Sequence, residues 1–495
     1  METYSLDVSD ILKPTDVTER KSKIICTLGP SCSTLEVLLQ MLDAGMNVAR
    51  LNFSHGDHES HAEMVNKLRE AKKLRPGNSC GILLDTKGPE IRTGYLKDHK
   101  PVSFTKDQEL EILTDYEIEG DSTKITCSYE ALPTTVKPDD QILIADGAVV
   151  CHVLECSKDS VKVRVMNDAT IGEKKNMNLP GIEVQLPTLT EQDELDLVDF
   201  GIKEGVDIIA ASFIRKASDV EYIRDVLGPR GAYIKIISKI ENQEGLENFD
   251  EILKVSDGIM VARGDLGMEI PTEKVFLAQK YMVQKCNSWS KPCIVATQML
   301  ESMVKNPRPT RAEASDVANA ILDGADCVML SGETAGGKFP VQAVKMMAKI
   351  ATEAEGTINY PKLHLELVSK SPTLIETNEL LASACAQAAF GLNIDLIIVI
   401  TRTGRMARLV SKYRPSQKIL ACSTSFPVVR QINLMRGCIG YRVPSFQGID
   451  KILQNLIKAA KSMGYCSSGN VVIALRANSD HNQAQSNMME IFEIE

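Results

Sequence analysis

Eight short apolar runs recur along the first two thirds of the chain, at 23–28, 48–53, 82–85, 208–213, 234–240, 259–262, 294–297 and 327–330. Each has the length and composition of a strand buried on both faces, as strands of a parallel sheet are. Segments with helical periodicity separate most of them, for example 191–204, 275–289 and 311–323. Eight strands alternating with helices predict an α/β fold of the (β/α)8 type, a TIM barrel; a doubly wound open sheet is the rival architecture.

The rhythm breaks once. Between Gly88 and Leu186 helical periodicity gives way to period-two alternation, as in Val161-Lys162-Val163-Arg164-Val165, with turn signals at Lys137-Pro138-Asp139-Asp140 and Ala145-Asp146-Gly147. This predicts an inserted all-β domain over 88–186, a small β-barrel placed after the third barrel strand, where it overhangs the barrel mouth as a lid. The barrel itself then occupies 21–87 and 187–358, behind a short arm at 1–20. The stretch after Tyr360-Pro361 lacks strong periodicity. Helical patterns at 376–390, 406–413, 428–435 and 451–463 then precede apolar runs at 396–401, 419–422, 440–443 and 471–475, and a last run spans 488–494. They predict a C-terminal open-sheet α/β domain over 359–495.

Charge and cysteine usage narrow the function classes. Lys and Arg number 56 against 66 Asp and Glu, a net charge of −10 without a basic block, which disfavours nucleic acid as a partner. No apolar run approaches the ~18 residues of a membrane span. The N-terminus carries Glu2, Asp7 and Asp10 and lacks the basic start of a signal peptide. The 13 cysteines are odd in number and show no C-x-x-C pair, which fits a reducing compartment, and a cytoplasmic location is expected.

In such a barrel the C-terminal ends of the strands face the active site. Those ends are rich in functional side chains: Arg50, Asn52 and Ser54 on one face of the second strand; Asp85-Thr86-Lys87 after the third; Lys239 and Glu241, two apart, on the fifth; Arg263-Gly264-Asp265 after the sixth; Thr297-Gln298 after the seventh; Ser331-Gly332-Glu333 after the eighth. Singly, each reads more readily as a solvated group or a turn cap. Convergence on all but two of the eight strands, always at one end, favours a site. Glu241 and Asp265 are hard oxygen donors suited to Mg²⁺ with positions open for substrate oxygens. Lys239 and Arg50 supply fixed positive charge for a phosphoryl group in transfer. Neither a Gly-x-x-x-x-Gly-Lys-Ser/Thr loop nor a Gly-x-Gly-x-x-Gly turn is present, so nucleotide phosphates fall to metal, Arg and Lys.

The strings NVARLNFSHG, LDTKGPEIRTG, KIISKIENQEGL, GIMVARGDLGMEIP, ATQMLESM, NPRPTRAEASDVANAILDGADCVMLSGETA and MARLVSKYRP resemble those of pyruvate kinases, over nearly the whole chain from Lys21. The resemblance implies transfer of the phosphoryl group of phosphoenolpyruvate to ADP, giving pyruvate and ATP, the last step of glycolysis. It implies Mg²⁺ (or Mn²⁺ in its place) and K⁺ as cofactors and a homotetramer. It also implies roles. Lys239 stabilises the transition state and Arg50 contacts the moving phosphoryl. Glu241 and Asp265 hold Mg²⁺. Main-chain groups at Gly264 and Asp265, with the Thr297 hydroxyl, hold the substrate carboxylate. Asn52, Ser54, Asp85 and the Thr86 carbonyl match the K⁺ site. His55, Arg92, Lys175 and Asn52 match nucleotide contacts. Thr297, Ser331 and Glu333 lie near the face where the enolate carbon takes a proton, through water. A Glu at position 90 goes with K⁺ dependence in this family, because a Lys there supplies the same positive charge.

Thr401-Arg402-Thr403-Gly404-Arg405 lies between a strand and a helix start, where N–H groups and Arg suit an anion; an ordinary strand–helix turn is the alternative. The family places a sugar-phosphate effector at the matching loop. Met406 stands where fructose-bisphosphate-activated members carry a hydroxyl residue, and 478–487 has no glycine where theirs is glycine-rich. The resemblance therefore leaves the effector's identity open. Two rival functions are a phosphoenolpyruvate lyase or mutase on the same barrel, which has no use for Arg92 and Lys175, and a non-catalytic scaffold, which has no use for Lys239, Glu241 and Asp265 together.

Overall fold

The computed structural model describes residues 7–371, 376–392, 394–478 and 486–495. Residues 1–6 of the arm and 479–485 of the glycine-free segment lie outside the described residues.

The eight apolar runs form a closed parallel barrel: Lys23–Thr27, Val48–Asn52, Gly81–Asp85, Ile208–Ala211, Lys235–Ile240, Gly258–Ala262, Cys293–Ala296 and Cys327–Leu330. Strand eight returns to strand one with Lys23 opposite Cys327 and Cys26 opposite Leu330. The open-sheet rival is thereby excluded. Side chains alternate between two apolar layers, as a strand's period of two requires. Ile24 and Cys26 pack outward with the helices, while Ile25 turns inward to meet Val48, Leu83, Ile208, Ile237, Met260 and Ile294. One member of the inner layer comes from elsewhere in the chain. Leu434, 2% exposed, belongs to the C-terminal domain and closes the floor of the barrel, where its carbonyl accepts a hydrogen bond from Cys327 Sγ at 3.4 Å.

The helix Arg311–Asp323 shows how local sequence sets the element's limits. Thr310 caps it, with Oγ1 accepting from Glu313 N at 3.2 Å and Glu313 Oε2 accepting from Thr310 N at 2.7 Å; Gly324, at φ +104°, ends it. Replacing Thr310 by Ala will cost about 1 kcal/mol of stability, and Ser in its place will restore most of it. Thermal melts of the two variants check this.

The insertion is built around Glu109–Leu113, Val149–Cys156 and Ser160–Val165, within a six-stranded sheet that has a two-stranded companion. The outer strands, Lys124–Thr126 and Met177–Asn178, are linked through single bridges from Thr93 to Cys127 and from Arg92 to Asn176, so the sheet curls back on itself. A separate apolar core fills it. The chain leaves the barrel through Gly88, at φ +73°, where an added Cβ would lie 2.8 Å from Ser212 Cβ. Asn178 Nδ2 donates to Glu269 Oε1 at 2.9 Å, tying the insertion to the barrel rim.

The C-terminal domain is a five-stranded sheet in the order Cys438–Arg442, Lys418–Ser423, Leu396–Ile400, Val471–Asn478, Ser486–Glu493, parallel except for the last strand. Apolar cores on both faces mark it as doubly wound. Sequence periodicity misses one element, the helix Tyr360–Ser369. Pro361 sits in its first turn, where the missing N–H costs nothing, and Asn359 Oδ1 caps Lys362 N at 3.1 Å. The domain is fixed to the barrel floor by buried polar contacts. Arg414 pairs with Asp326 at 2.6 Å, Arg430 with Asp207 at 2.7 Å, and Lys23 Nζ donates to the Cys438 carbonyl at 2.6 Å. All 13 cysteines are free thiols, and among the described residues no helix is long and apolar enough to cross a membrane.

Candidate active site

The mouth of the barrel gathers a continuous ionic cluster. Asp85, at the end of the third strand, accepts from Arg50 Nε at 2.7 Å through one oxygen and from Lys239 Nζ at 3.0 Å through the other. Lys239 also lies 3.1 Å from Glu241 Oε1 and donates to Ser212 Oγ at 2.8 Å. The other Glu241 oxygen accepts from Phe213 N at 2.6 Å, in a turn where Phe213 takes φ +55°. Asp265 neighbours Glu241 and feels Lys239 as its main counter-charge. One ammonium therefore faces three carboxylates, two of which lie next to each other.

The electrostatics follow from that geometry. Burial opposes the charged form of Asp85, but Arg50 and Lys239 outweigh it and hold the carboxyl below its ordinary range. Burial also works against the Lys239 ammonium; Asp85 and Glu241 override it and hold the amine above its ordinary value. Glu241 and Asp265 are both pushed up, chiefly by burial, with Lys239 pulling the other way. Two buried carboxylates with too little positive charge between them are a donor set that a divalent cation satisfies. Two protein carboxylates leave positions on such an ion for substrate oxygens.

Beside this cluster opens a cavity of about 820 Å³, bounded by Gly264, Asp265, Thr297 and Gln298 from the barrel and by Asp146 from the insertion. A Cβ on Gly264 would stand 2.8 Å from Thr297 Cγ2, so glycine there keeps the wall open. Thr297 and Gln298 both adopt left-handed backbone, φ +74° and +53°, a strained pair of the kind that clusters at functional sites.

The whole chain has close relatives. Residues 19–344 match the family model described as pyruvate kinase, barrel domain, and 379–492 match pyruvate kinase, alpha/beta domain. A pyruvate kinase of Eimeria tenella is 54% identical over 480 residues, covering 97% of this chain and 90% of that protein. A cytosolic isozyme of Glycine max is 48% identical, covering 95% of this chain and 97% of its own. The chain belongs to the pyruvate kinase family. A crystal structure of a Cryptosporidium parvum pyruvate kinase superimposes with a TM-score of 0.95 at 48% identity, over 99% of this chain and 100% of that one. Another, solved in complex with ADP, gives a TM-score of 0.87 over 98% and 97%. The chain is thus a phosphotransferase that converts phosphoenolpyruvate and ADP to pyruvate and ATP, in a family that requires a divalent metal and K⁺.

The remaining sequence-predicted residues of this pyruvate kinase fall into three places. Asn52, Ser54, Asp85 and Thr86 meet at the ends of strands two and three. There Asn52 Oδ1 accepts from Ser54 N at 3.2 Å, and the Thr86 carbonyl accepts from Ser212 Oγ at 2.6 Å. His55 and Lys175 are exposed, on the barrel rim and the insertion respectively. Arg92 pairs with Glu90, Nε to Oε2 at 2.6 Å, and its Nη1 donates to the Lys174 carbonyl at 2.8 Å. Ser331 and Glu333 reach the rim, but both Glu333 oxygens are occupied by main-chain donors, Leu300 N at 3.0 Å and Ser331 N at 2.7 Å. Arg263 lines the cavity beside the cluster and grips Asp316 with two nitrogens, at 2.6 and 2.7 Å. The loop Thr401-Arg402-Thr403-Gly404-Arg405, expected to take an anion, lies on the C-terminal domain, with Gly404 N donating to Thr401 Oγ1 at 3.1 Å and Arg405 paired with Glu376.

Sequence reasoning leaves the first and fourth strands without a functional side chain. In the structure both have one. Thr27 Oγ1 accepts from Arg50 Nη1 at 2.8 Å, and Ser212 bridges Lys239 and Thr86. Both are small hydroxyls inside apolar runs, and the only sequence signal they carry is strand parity.

Proposed function

We propose that Lys239 is the residue on which phosphoryl transfer depends, with Arg50 as second cation and Glu241 and Asp265 as the Mg²⁺ ligands. The observation that supports this is the Lys239 ammonium held between Asp85 and Glu241, with Asp265 alongside. Bound Mg²⁺, or Mn²⁺, would supply a Lewis acid for phosphoryl and enolate oxygens. The chain's own groups do the rest. Lys239 carries fixed positive charge to the transferring group, preorganised by two carboxylates and Ser212 and so needing no rearrangement at the moment of reaction. Arg50, clamped by Asp85 and Thr27, keeps its remaining N–H groups for the phosphoryl oxygens. Gly264 and Asp265 main-chain groups and the Thr297 hydroxyl orient the substrate carboxylate. His55, Arg92, Lys175 and Asn52 take the nucleotide as the insertion closes, excluding the water that would otherwise accept the phosphoryl group. Ser331 sits beside the enolate face with Thr297, and Glu333 acts by fixing the main chain at Ser331 and Leu300. Titrating kcat against Mg²⁺ in wild type and Asp265→Asn tests the ligand assignment. A rise of at least about tenfold in the Mg²⁺ needed for half-activity is expected, and an unchanged curve would remove Asp265 from the metal site.

Asn52, Ser54, Asp85 and Thr86 form the K⁺ site in this reading. Glu90 adds negative charge near Asp265 and offers no ammonium in place of the ion. With tetramethylammonium as the sole monovalent cation, turnover will fall at least about tenfold. Full activity under that condition excludes the assignment.

Residues 359–495 carry effector and subunit contacts, with the loop Thr401, Arg402, Thr403, Gly404, Arg405 receiving a sugar phosphate. A homotetramer in the cytoplasm completes the reading. The exposed apolar side chains Phe276, Leu277 and Tyr281 on the helix Val275–Ser288 support a subunit contact there.

A further inference from the structure

Two chain segments join the insertion to the barrel, and both bear on one turn, residues 212–215, after the fourth strand. The departing segment packs on it: a Cβ on Gly88 would lie 2.8 Å from Ser212 Cβ and 2.9 Å from Phe213 Cδ2. The returning segment is held by it. Residues 182–187 form neither helix nor strand, so their carbonyls need partners from elsewhere. Arg215, 5% exposed, supplies them. Its Nη1 donates to the Val184 carbonyl at 2.9 Å, and its Nη2 donates to those of Leu186 and, at 3.3 Å, Pro187. The Arg215 main chain is itself fixed to the barrel, with N donating to Asp219 Oδ2 at 2.9 Å and the carbonyl accepting from Asn248 Nδ2 at 2.9 Å. A planar fork on a pinned backbone makes a firm grip. A cavity of about 60 Å³, with Val184, Leu186, Phe213 and Arg215 in its wall, leaves the gripped segment room to shift.

The inner side of the same turn meets the mouth. Ser212 Oγ accepts from Lys239 Nζ at 2.8 Å, Ser212 N donates to Thr86 Oγ1 at 3.0 Å, and Phe213 N donates to Glu241 Oε2 at 2.6 Å. Phe213, at φ +55°, holds backbone that an aromatic residue rarely adopts, so the turn keeps its shape only while these contacts hold it. We propose that Arg215 is a positioning residue for closure of the insertion, and that the 212–215 turn carries the loading of Glu241 and Lys239 to it. This rests on the reading that the insertion closes over the mouth. A ligand on Glu241 and Lys239 competes for the groups that Phe213 N and Ser212 Oγ now engage. The turn shifts, and the Arg215 fork moves the return segment with it. Closure then begins before the nucleotide arrives.

Hydrogen exchange of the full-length enzyme, read at the amides of residues 174–187, tests this in two arms: Mg²⁺ with phosphoenolpyruvate but no ADP, and Mg²⁺ with ATP but no pyruvate. The partners of phosphoenolpyruvate, Arg50, Lys239, Gly264, Asp265 and Thr297, all belong to the barrel, so protection it gives to the insertion is transmitted. It is expected to slow exchange at least about tenfold in the wild type and by less than about twofold in Arg215→Met. Arg215→Lys keeps the charge without the fork and is expected to fall in between. Melting temperatures report whether each variant folds, and Arg215→Lys decides the matter where Arg215→Met does not. The kcat of Arg215→Met should fall about 10²-fold, the cost of a misplaced closing element. Protection by phosphoenolpyruvate that is equal in wild type and variants makes Arg215 structural and overturns the proposal. Protection of the wild type by ATP alone overturns the transmission and leaves closure standing. Protection by neither ligand overturns closure itself, and the proposal with it.

Discussion

Replacing Lys239 by Met will lower kcat by about 10³–10⁵-fold, the range measured when a phosphoryl-transfer site loses a cation aimed at the transition state. Lys239 is the point where the third, fourth and fifth strands meet, through Asp85, Ser212 and Glu241. Met matches its length and apolar stem, so the barrel packing survives. Asp85 keeps Arg50, at 2.7 Å, and stays paired. Glu241 loses its nearest cation and takes up a proton or a metal ion instead. The loss should therefore appear in kcat far more than in the melting temperature or in the Michaelis constant for ADP. A Lys239→Met enzyme with near-normal turnover would show that the ammonium is structural and that charge stabilisation comes from elsewhere.

The second large effect concerns stability. Asp326→Ala will destabilise the enzyme by about 3–5 kcal/mol, because it leaves a buried guanidinium without its counter-ion. Arg414 is 4% exposed and lies 2.6 Å from Asp326 Oδ1, while the other Asp326 oxygen accepts from Cys293 N at 3.0 Å. The remaining Arg414 partners, Asn287 Oδ1 at 2.5 Å and the Gly324 carbonyl at 2.9 Å, are neutral and do not replace the lost charge. The pair joins the eighth barrel strand to the C-terminal domain, so unfolding of the variant should begin at that junction. Denaturant melts of wild type, Asp326→Ala and Asp326→Ala/Arg414→Met measure it. The double variant should recover part of the loss, since it removes the orphaned charge as well. A single variant that unfolds alongside the wild type would mean that water reaches Arg414.

The barrel is plain because strands buried on both faces read as short unbroken apolar runs, and eight of them alternate with helical segments. The lid is plain for the opposite reason: Val161, Val163 and Val165 alternate with charged residues that face water. The helix Tyr360–Ser369 escapes notice because Tyr360-Pro361 reads as punctuation when it is a helix start. At the site, the charged residues of the mouth are legible from position, as each stands at the same end of a buried run. Direction is not. Arg263 occupies such an end and yet is committed to Asp316 on the cavity wall, and Glu333 points in but holds main chain rather than solvent. The hydroxyls of Thr27 and Ser212 are hidden by size alone, since a small polar residue in an apolar run is indistinguishable from a core residue until its neighbours are placed.

The floor of the barrel has a stopper borrowed from the other domain. Leu434 fills space that the strand side chains leave among themselves, and burial of a leucine is worth about 1.5–3 kcal/mol. A chain cut after the barrel would lose this plug and leave the inner layer less covered at its base, beside Cys327. The catalytic half of this enzyme is therefore not a free-standing module. Any tilt of the C-terminal sheet pulls or presses on a column of side chains that ends at the strands carrying the catalytic mouth.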